Sequence, residues 1–356
     1  MTHEDAIALL QRLIATPSLS REEGATAEII ADFLSSMGVE PRRLGNNVWA
    51  VADTFNPERP TLLLNSHHDT VKPSPAYTRP PFTPCIEGNR LYGLGSNDAG
   101  ASVVSLITAF SNLRSESLPV NLVLAISAEE EVTGEGGLRA LIAHWQEIGL
   151  KIDMALVGEP TQMNAAVGER GLVVLDGVST GRGGHAARTE GDNALYHAID
   201  DINRLREFQF PKTSALLGPI KVTVTQIEAG RQHNVIPEAC RFVADVRTTD
   251  AYTNEQTVEL LSAALSSHSQ ITPRSTRIRA SAIGSDHPLV KTAVALGRTC
   301  FVSPTTSDMA AMPLIPSLKM GPGDSARSHT ADEYVGIDEI RQAINIYTDF
   351  IKTLQL

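Results

Sequence analysis

Histidines and acids occur along this chain in short groups that share one setting. His67-His68-Asp69 follows the apolar run Leu62-Leu63-Leu64, and Glu129-Glu130-Glu131 follows Val120–Ser127. Glu159 follows Met154–Gly158, and His329 lies beyond Pro313–Met320. Asp98 closes the stretch Tyr92-Gly93-Leu94-Gly95-Ser96-Asn97-Asp98. Imidazole and carboxylate are donors that zinc takes readily. A carboxylate two residues after a histidine can hold the far ring nitrogen and fix its tautomer. Each group also has a plain explanation. A polar loop can follow a buried strand, Asp98 can cap a helix, and three adjacent glutamates can form a solvated turn. The repetition has no such explanation. Three anions at the end of a core strand need a cation to relieve their repulsion.

These groups require strands that end on a common edge, because ligands of open α/β sheets sit beyond the carboxyl ends of the strands. Apolar spacing predicts a helix over residues 4–15, with Thr2 and Asp5 as its cap. Ser20-Arg21-Glu22-Glu23 reads as a capping box opening a helix that Gly38 stops. Strands are expected at 46–52, 61–66, 120–127 and 154–158, and a helix at 99–113. The glycines of 91–100 do not make a dinucleotide fingerprint, since Asp98 stands where the third glycine belongs. From Gly171 the order becomes strand 172–179, helix 193–208, strands 220–227 and 241–247, helix 254–265 and strand 276–282. That βαββαβ order is ferredoxin-like. The expected fold is therefore α/β, with a first domain of residues 1–170 and 285–356 and an inserted domain of residues 171–284. A strand at 313–320 and an amphipathic helix at 337–354 complete the first.

Bulk properties narrow the partners. A chain of 356 residues exceeds one compact core of usual size, so two domains are natural. A net charge of −11 argues against nucleic acid and anionic membranes as partners. No apolar run approaches the ~20 residues that cross a bilayer. Residues 1–20 read as an amphipathic helix, not a signal peptide. Cys85, Cys240 and Cys300 are an odd number and far apart, which implies no disulfide framework and a reducing, cytoplasmic compartment.

The motifs in order are His67-x-Asp69-x-Val71, Tyr92-Gly93-x-Gly95-x-x-Asp98, Glu130-Glu131, Gly158-Glu159-Pro160-Thr161, and a late Gly-Pro-Gly with His329. This set resembles the two-zinc hydrolase family of acetylornithine deacetylase, succinyl-diaminopimelate desuccinylase, aminoacylase and glutamate carboxypeptidase. The resemblance covers nearly the whole chain. It implies a zinc-exopeptidase-like catalytic domain, with a mixed central sheet flanked by helices, and an inserted lid and dimerisation domain. It implies that His67 and Glu159 bind one divalent ion, Glu131 and His329 a second, and Asp98 both. Zinc is the expected metal, with cobalt or manganese as alternatives. Three carboxylates then balance three of four cationic charges. Asp69 would orient His67, and Glu130 would be the general base.

In the inserted domain the resemblance gives His185, in Gly183-Gly184-His185-Ala186, a role in holding the oxyanion, supplied from the partner of a homodimer. It makes Asn234, Arg247 and Gly323 substrate contacts, with Arg247 on the substrate α-carboxylate. It also implies a cis peptide after Asp98. The chain departs from the family in having Ala99-Gly100-Ala101 where a lysine-containing segment is usual. The implied activity is removal of a small acyl group from an N-acyl amino acid. The wording of the motifs is most similar to acetylornithine deacetylase, which acts in arginine biosynthesis. Acylated citrulline, succinyl-ornithine, succinyl-diaminopimelate and dipeptides are the alternatives. An inactive amino-acid-binding relative is opposed by the intact Glu130 and complete ligand set.

Overall fold

A computed structural model describes residues 1–356. Contacts divide the chain into two compact units. One comprises Met1–Gly168, Ile283–Ser303 and Ser307–Leu356, and the other Glu169–Ala282 with Pro304–Thr306.

The first unit is built on four adjacent parallel strands, Asn121–Ser127, Thr61–His67, Met154–Val157 and Ser317–Lys319, in that order. Their side chains alternate between two cores. Leu62, Leu64, Leu122, Leu124, Ile126 and Leu156 join one, while Leu63, Val123, Ala125, Ala155 and Val157 join the other. A strand buried on both faces must be apolar throughout, which is why these segments read as continuous hydrophobic runs. Helices His3–Ile14, Ala101–Leu113 and Ile337–Thr353 supply the first core, and Leu138–Glu147 the second. Antiparallel strands flank the parallel set: Asn47–Val51 beside Asn121–Ser127, and Ala165–Glu169 beside Ser317–Lys319. The result is the expected mixed sheet flanked by helices. No helix is long and apolar enough to cross a membrane.

Register places the strand ends together. His67 lies opposite Ser127, Asn65 opposite Val157, and Val157 opposite Lys319. Each strand then releases its polar residues at one edge.

The proposed capping box at Ser20–Glu23 does not form. Helix Gly24–Ser36 has no side-chain cap. Ser20 Oγ instead donates to Asp69 Oδ2 at 2.7 Å, and Glu23 is fully buried. Its carboxylate accepts from the Glu129 N–H at 3.1 Å, Asn46 Nδ2 at 2.8 Å and the Arg21 N–H at 2.5 Å. The acceptors went to loops that carry polar residues, because those loops bury N–H groups with no strand partner.

The second unit has a four-stranded antiparallel sheet in the order Lys221–Ala229, Ala239–Thr248, Gly171–Thr180, Ser269–Pro273. Helices Ala194–Glu207 and Asn254–Ala264 pack on Val173, Leu175, Phe242, Ala244 and Val246. This is the ferredoxin-like arrangement, with one correction. The fourth strand is Ser269–Pro273, not 276–282, of which only Ser281–Ala282 is strand. Asn254 Nδ2 takes the carbonyls of Thr276 and Ile278 at 3.0 and 2.9 Å, so they serve a helix start and not a ladder.

Replacing Glu23 with alanine leaves the Glu129 N–H and Asn46 amide without their acceptor. Such buried donors cost about 1–3 kcal/mol. Urea unfolding of Glu23→Ala is expected to show a loss of that size, and an unchanged midpoint would refute the role.

Candidate metal centre

Five side chains converge at the carboxyl edge of the parallel strands. Asp98 lies between two imidazoles: its Oδ1 is 3.2 Å from His67 Nε2, and its Oδ2 is 3.5 Å from His329 Nε2. Each imidazole has a glutamate of its own. Glu159 Oε1 is 3.6 Å from His67 Nε2, and Glu131 lies 3.0 Å from His329 Nε2. Neighbouring donors around a tetrahedral ion with N and O bonds of ~2.0–2.1 Å stand roughly 3.3 Å apart. The four separations scatter about that value. The donor set and its spacing therefore fit two cations sharing Asp98.

Supporting groups fix these donors. His67 Nδ1 lies 3.0 Å from the Asp69 carbonyl and 3.4 Å from its Oδ1. The Asp69 carboxylate also accepts from the Glu130 and Glu131 N–H groups at 3.0 and 3.1 Å. One buried carboxylate thus positions the first histidine and the acidic turn beside it. Glu130 Oε2 is 3.9 Å from His67 Nε2, facing the same space as Asp98 and Glu159. The peptide after Asp98 is cis. Asp98 lies at a kink within Ser96–Gly100, with a non-helical φ of −115° and ψ of 98°, and the following helix begins at Ala101, two residues later than expected.

Sequence reasoning missed several contributors. Glu333 is buried and accepts from the N–H groups of Asn97 and Asp98 at 2.8 Å each and of Gly95 at 3.0 Å. Asn97 joins this turn to the loop before His329, exchanging hydrogen bonds with Asp324 at 3.0 and 3.1 Å. Asp308 accepts from Ser127 Oγ at 2.5 Å. No motif marks Glu333 or Asp308. Carboxylates that accept from groups far away in sequence, as these two do, leave no local pattern. Glu129, adjacent to Glu130 and Glu131, accepts from the Gly136 N–H at 3.3 Å. His68 points away: its Nδ1 meets Thr26 Oγ1 at 2.9 Å and its Nε2 meets the Asn46 carbonyl at 3.0 Å. Burial lowers its pKa, so the ring is neutral and carries its proton on the nitrogen facing the carbonyl.

The remaining predicted residues have defined places. Gly323 has φ +85°, and a Cβ there would fall 2.2 Å from Asn97 Oδ1, so the position demands glycine for packing. In the second unit, His185 and Asn234 are brought together. Strand Gly184–His185 pairs with Val235–Ile236, and the Ala186 N–H donates to the Asn234 carbonyl at 3.0 Å. Arg247 is held by Asp245 on its own strand, through Nε at 2.8 Å and an Nη at 3.1 Å.

Burial pushes Glu159 up to about 8, and the nearby Asp98 adds to this. Burial raises Glu130 well above the usual carboxylate range, reinforced by Glu159, Asp308 and Glu131. The contact with Glu131 raises His329 to about 9. Burial acts to lower His67, but Asp69, Asp98, Glu130 and Glu159 outweigh it and leave the ring raised. Without cations the centre retains protons to relieve its own repulsion.

A group whose pKa is raised on folding makes stability fall with pH between its unfolded and folded values. For Glu159 that window runs from 4.5 to about 8, and for His329 from 6.5 to about 9. Chelator-stripped protein is therefore expected to melt at progressively lower temperature as pH rises from about 5 to 9. Added divalent cation should flatten that slope; a slope indifferent to cation would contradict the arrangement.

Residues 63–353 match the model of peptidase family M20/M25/M40. A succinyl-diaminopimelate desuccinylase of Rhizorhabdus wittichii is 28% identical over 98% of both chains. That of Caulobacter sp. strain K31 is 30% identical over 70% of this chain and 66% of its own. Aminopeptidase PepT from Bacillus cereus shares the fold with a TM-score of 0.78, at 15% identity over 99% of this chain and 98% of its own. A dinuclear metal-binding M20 peptidase from Bacillus subtilis does so with 0.72, at 16% identity over 98% and 97%. With residues 63–353 matched, the chain belongs to peptidase family M20/M25/M40 and is a metal-dependent amide hydrolase.

Proposed function

We propose that this enzyme removes a small acyl group from the nitrogen of an amino acid, using two divalent cations. The carrying observation is Asp98, whose two oxygens face His67 and His329, each beside its own glutamate. In this reading His67 and Glu159 would hold one ion, His329 and Glu131 the other, and Asp98 would contribute to both. Zinc fits two imidazoles and three carboxylates, and cobalt or manganese can take the same donors. When bound, the ions polarise the amide carbonyl and make water acidic enough to ionise near neutral pH.

The protein's own part is proton handling and orientation. Glu130 accepts the proton of the attacking water as its oxygen bonds to the acyl carbon. It returns that proton to the nitrogen as the C–N bond breaks, releasing a carboxylic acid and an amine. Burial, the largest cause of its raised pKa, disfavours its charged form and so helps it hold the proton between the two steps. Asp69 keeps the His67 ring in place. His185 and Asn234, adjacent on one ribbon, are proposed as substrate-facing donors, and Arg247 and Gly323 as further substrate contacts.

The acyl group is the finer question. The likeness to desuccinylases at 28–30% identity favours a succinyl group. The motif wording favours acetylornithine, which stays as the second reading. A homodimer and a cytoplasmic setting accompany both, the latter supported by three free cysteines.

Turnover of acetyl- and succinyl-ornithine, -citrulline and -diaminopimelate, run with metal analysis, tests the assignment. At least one succinyl compound should exceed its acetyl counterpart in kcat/KM, and no turnover across the panel would end the deacylase reading. Glu130→Gln should keep both metals and lose kcat by a factor of about 10² or more. Asp98→Asn should lower the metal content, and unchanged stoichiometry would remove Asp98 from the ligand set.

A further inference from the structure

The second unit holds a histidine–carboxylate cluster that this reaction does not use. Asp192 precedes helix Ala194–Glu207, His197 lies in its first turns, and His268 lies just before strand Ser269–Pro273. Their backbones are tied down. Asp192 exchanges two hydrogen bonds with Arg182, both 2.8 Å, and the His268 carbonyl accepts from the Thr180 N–H at 2.8 Å. The two imidazoles lie face to face, with centroids 3.7 Å apart and planes within 7°. His197 Nε2 is 2.6 Å from Asp192 Oδ1, whereas His268 Nδ1 is 4.0 Å from Asp192 Oδ2. The three ligand atoms all lie within 4.8 Å of one another.

A proton serves this cluster poorly. Asp192 can accept from His197, but at 4.0 Å His268 is beyond hydrogen-bond range. A divalent cation would engage all three groups once one ring turns out of the stack, because an ion bound at an imidazole nitrogen lies in that ring's plane and two parallel planes cannot share it. Donors of a tetrahedral site stand roughly 3.3 Å apart, so one separation must open and the other close by about 0.7 Å each. Side-chain exposures of 40% for Asp192, 24% for His197 and 44% for His268 leave the cluster open to ions from solution. Two imidazoles and one carboxylate favour zinc or a similar transition ion over magnesium or calcium, which prefer oxygen.

We infer that Asp192, His197 and His268 form a further cation site for a zinc-class ion, with its fourth position open to water. None of the residues assigned above takes part, so this site stands or falls independently of the proposed reaction. The ion joins three pieces of the unit: the start of one helix, the turn before the edge strand, and, through the Arg182–Asp192 pairing, the base of the loop that carries His185. Its effect is to clamp the base of loop 182–192.

The test uses full-length protein, stripped by chelator and titrated with zinc chloride, with magnesium chloride as control. The double variant His197→Ala/His268→Ala should bind one zinc fewer per chain than wild type. Zinc should slow tryptic cleavage after the exposed Arg182 and Arg188 several-fold in wild type and not in the variant. Asp98→Asn, which alters the other centre, should keep that protection. Equal zinc content in wild type and double variant, or equal protection, would overturn the site. Should the double variant melt lower in chelator, His268→Gln, at an exposed side chain, provides the same comparison.

Discussion

The geometry of the candidate centre depends on the buried carboxylate of Asp69. It faces the far nitrogen of His67, accepts from the backbone of Glu130 and Glu131, and accepts from Ser20 Oγ. Burial disfavours its charge, yet His67, Ser20 and the Glu130 N–H hold its pKa below the ordinary value. An anion so held is an inflexible anchor. It sets the angle between one imidazole and the acidic turn, and hence the space in which Glu130 faces His67, Asp98 and Glu159. Glu333 does the same service for Asp98 through three N–H groups. Carboxylates in two settings thus make up the centre: one set facing the two imidazoles, another accepting from backbone N–H groups and so positioning the first.

The parallel sheet supplies the common edge. Strands apolar on both faces cannot place a charge along their length, so polar residues accumulate where each strand ends. With His67 opposite Ser127 and Asn65 opposite Val157, those ends coincide. A register slip of one residue would exchange the two cores, sending Leu62 and Leu64 toward the layer built for Leu63. Packing thereby protects the alignment of the ligands.

Much of this was legible in the sequence. The apolar runs feeding His67, Glu129-Glu130-Glu131 and Glu159 gave away the parallel strands and the metal-type donors. The βαββαβ order of the second unit was legible from alternating periods. What escaped was every contact in which a side chain serves distant backbone. Ser20 and Glu23 matched a helix cap but hold loops instead. Asn254 drew the carbonyls of Thr276 and Ile278 out of the expected strand, so Ser269–Pro273 became the edge. Glu333 and Asp308 have no local signature, since their partners lie more than a hundred residues away. Local patterns report periodicity and composition; they do not report which buried N–H will lack a partner.

The chain leaves the first unit at Gly168 and is back in it at Ile283, whose N–H donates to the Val167 carbonyl at 2.9 Å. Departure and return are one hydrogen bond apart. Topologically, then, residues 169–282 are one long excursion from the first unit, and their length puts no tension on the sheet. Such a segment is open to exchange by recombination: a different module could be spliced between the same two points with every donor of the first unit left on its own scaffold.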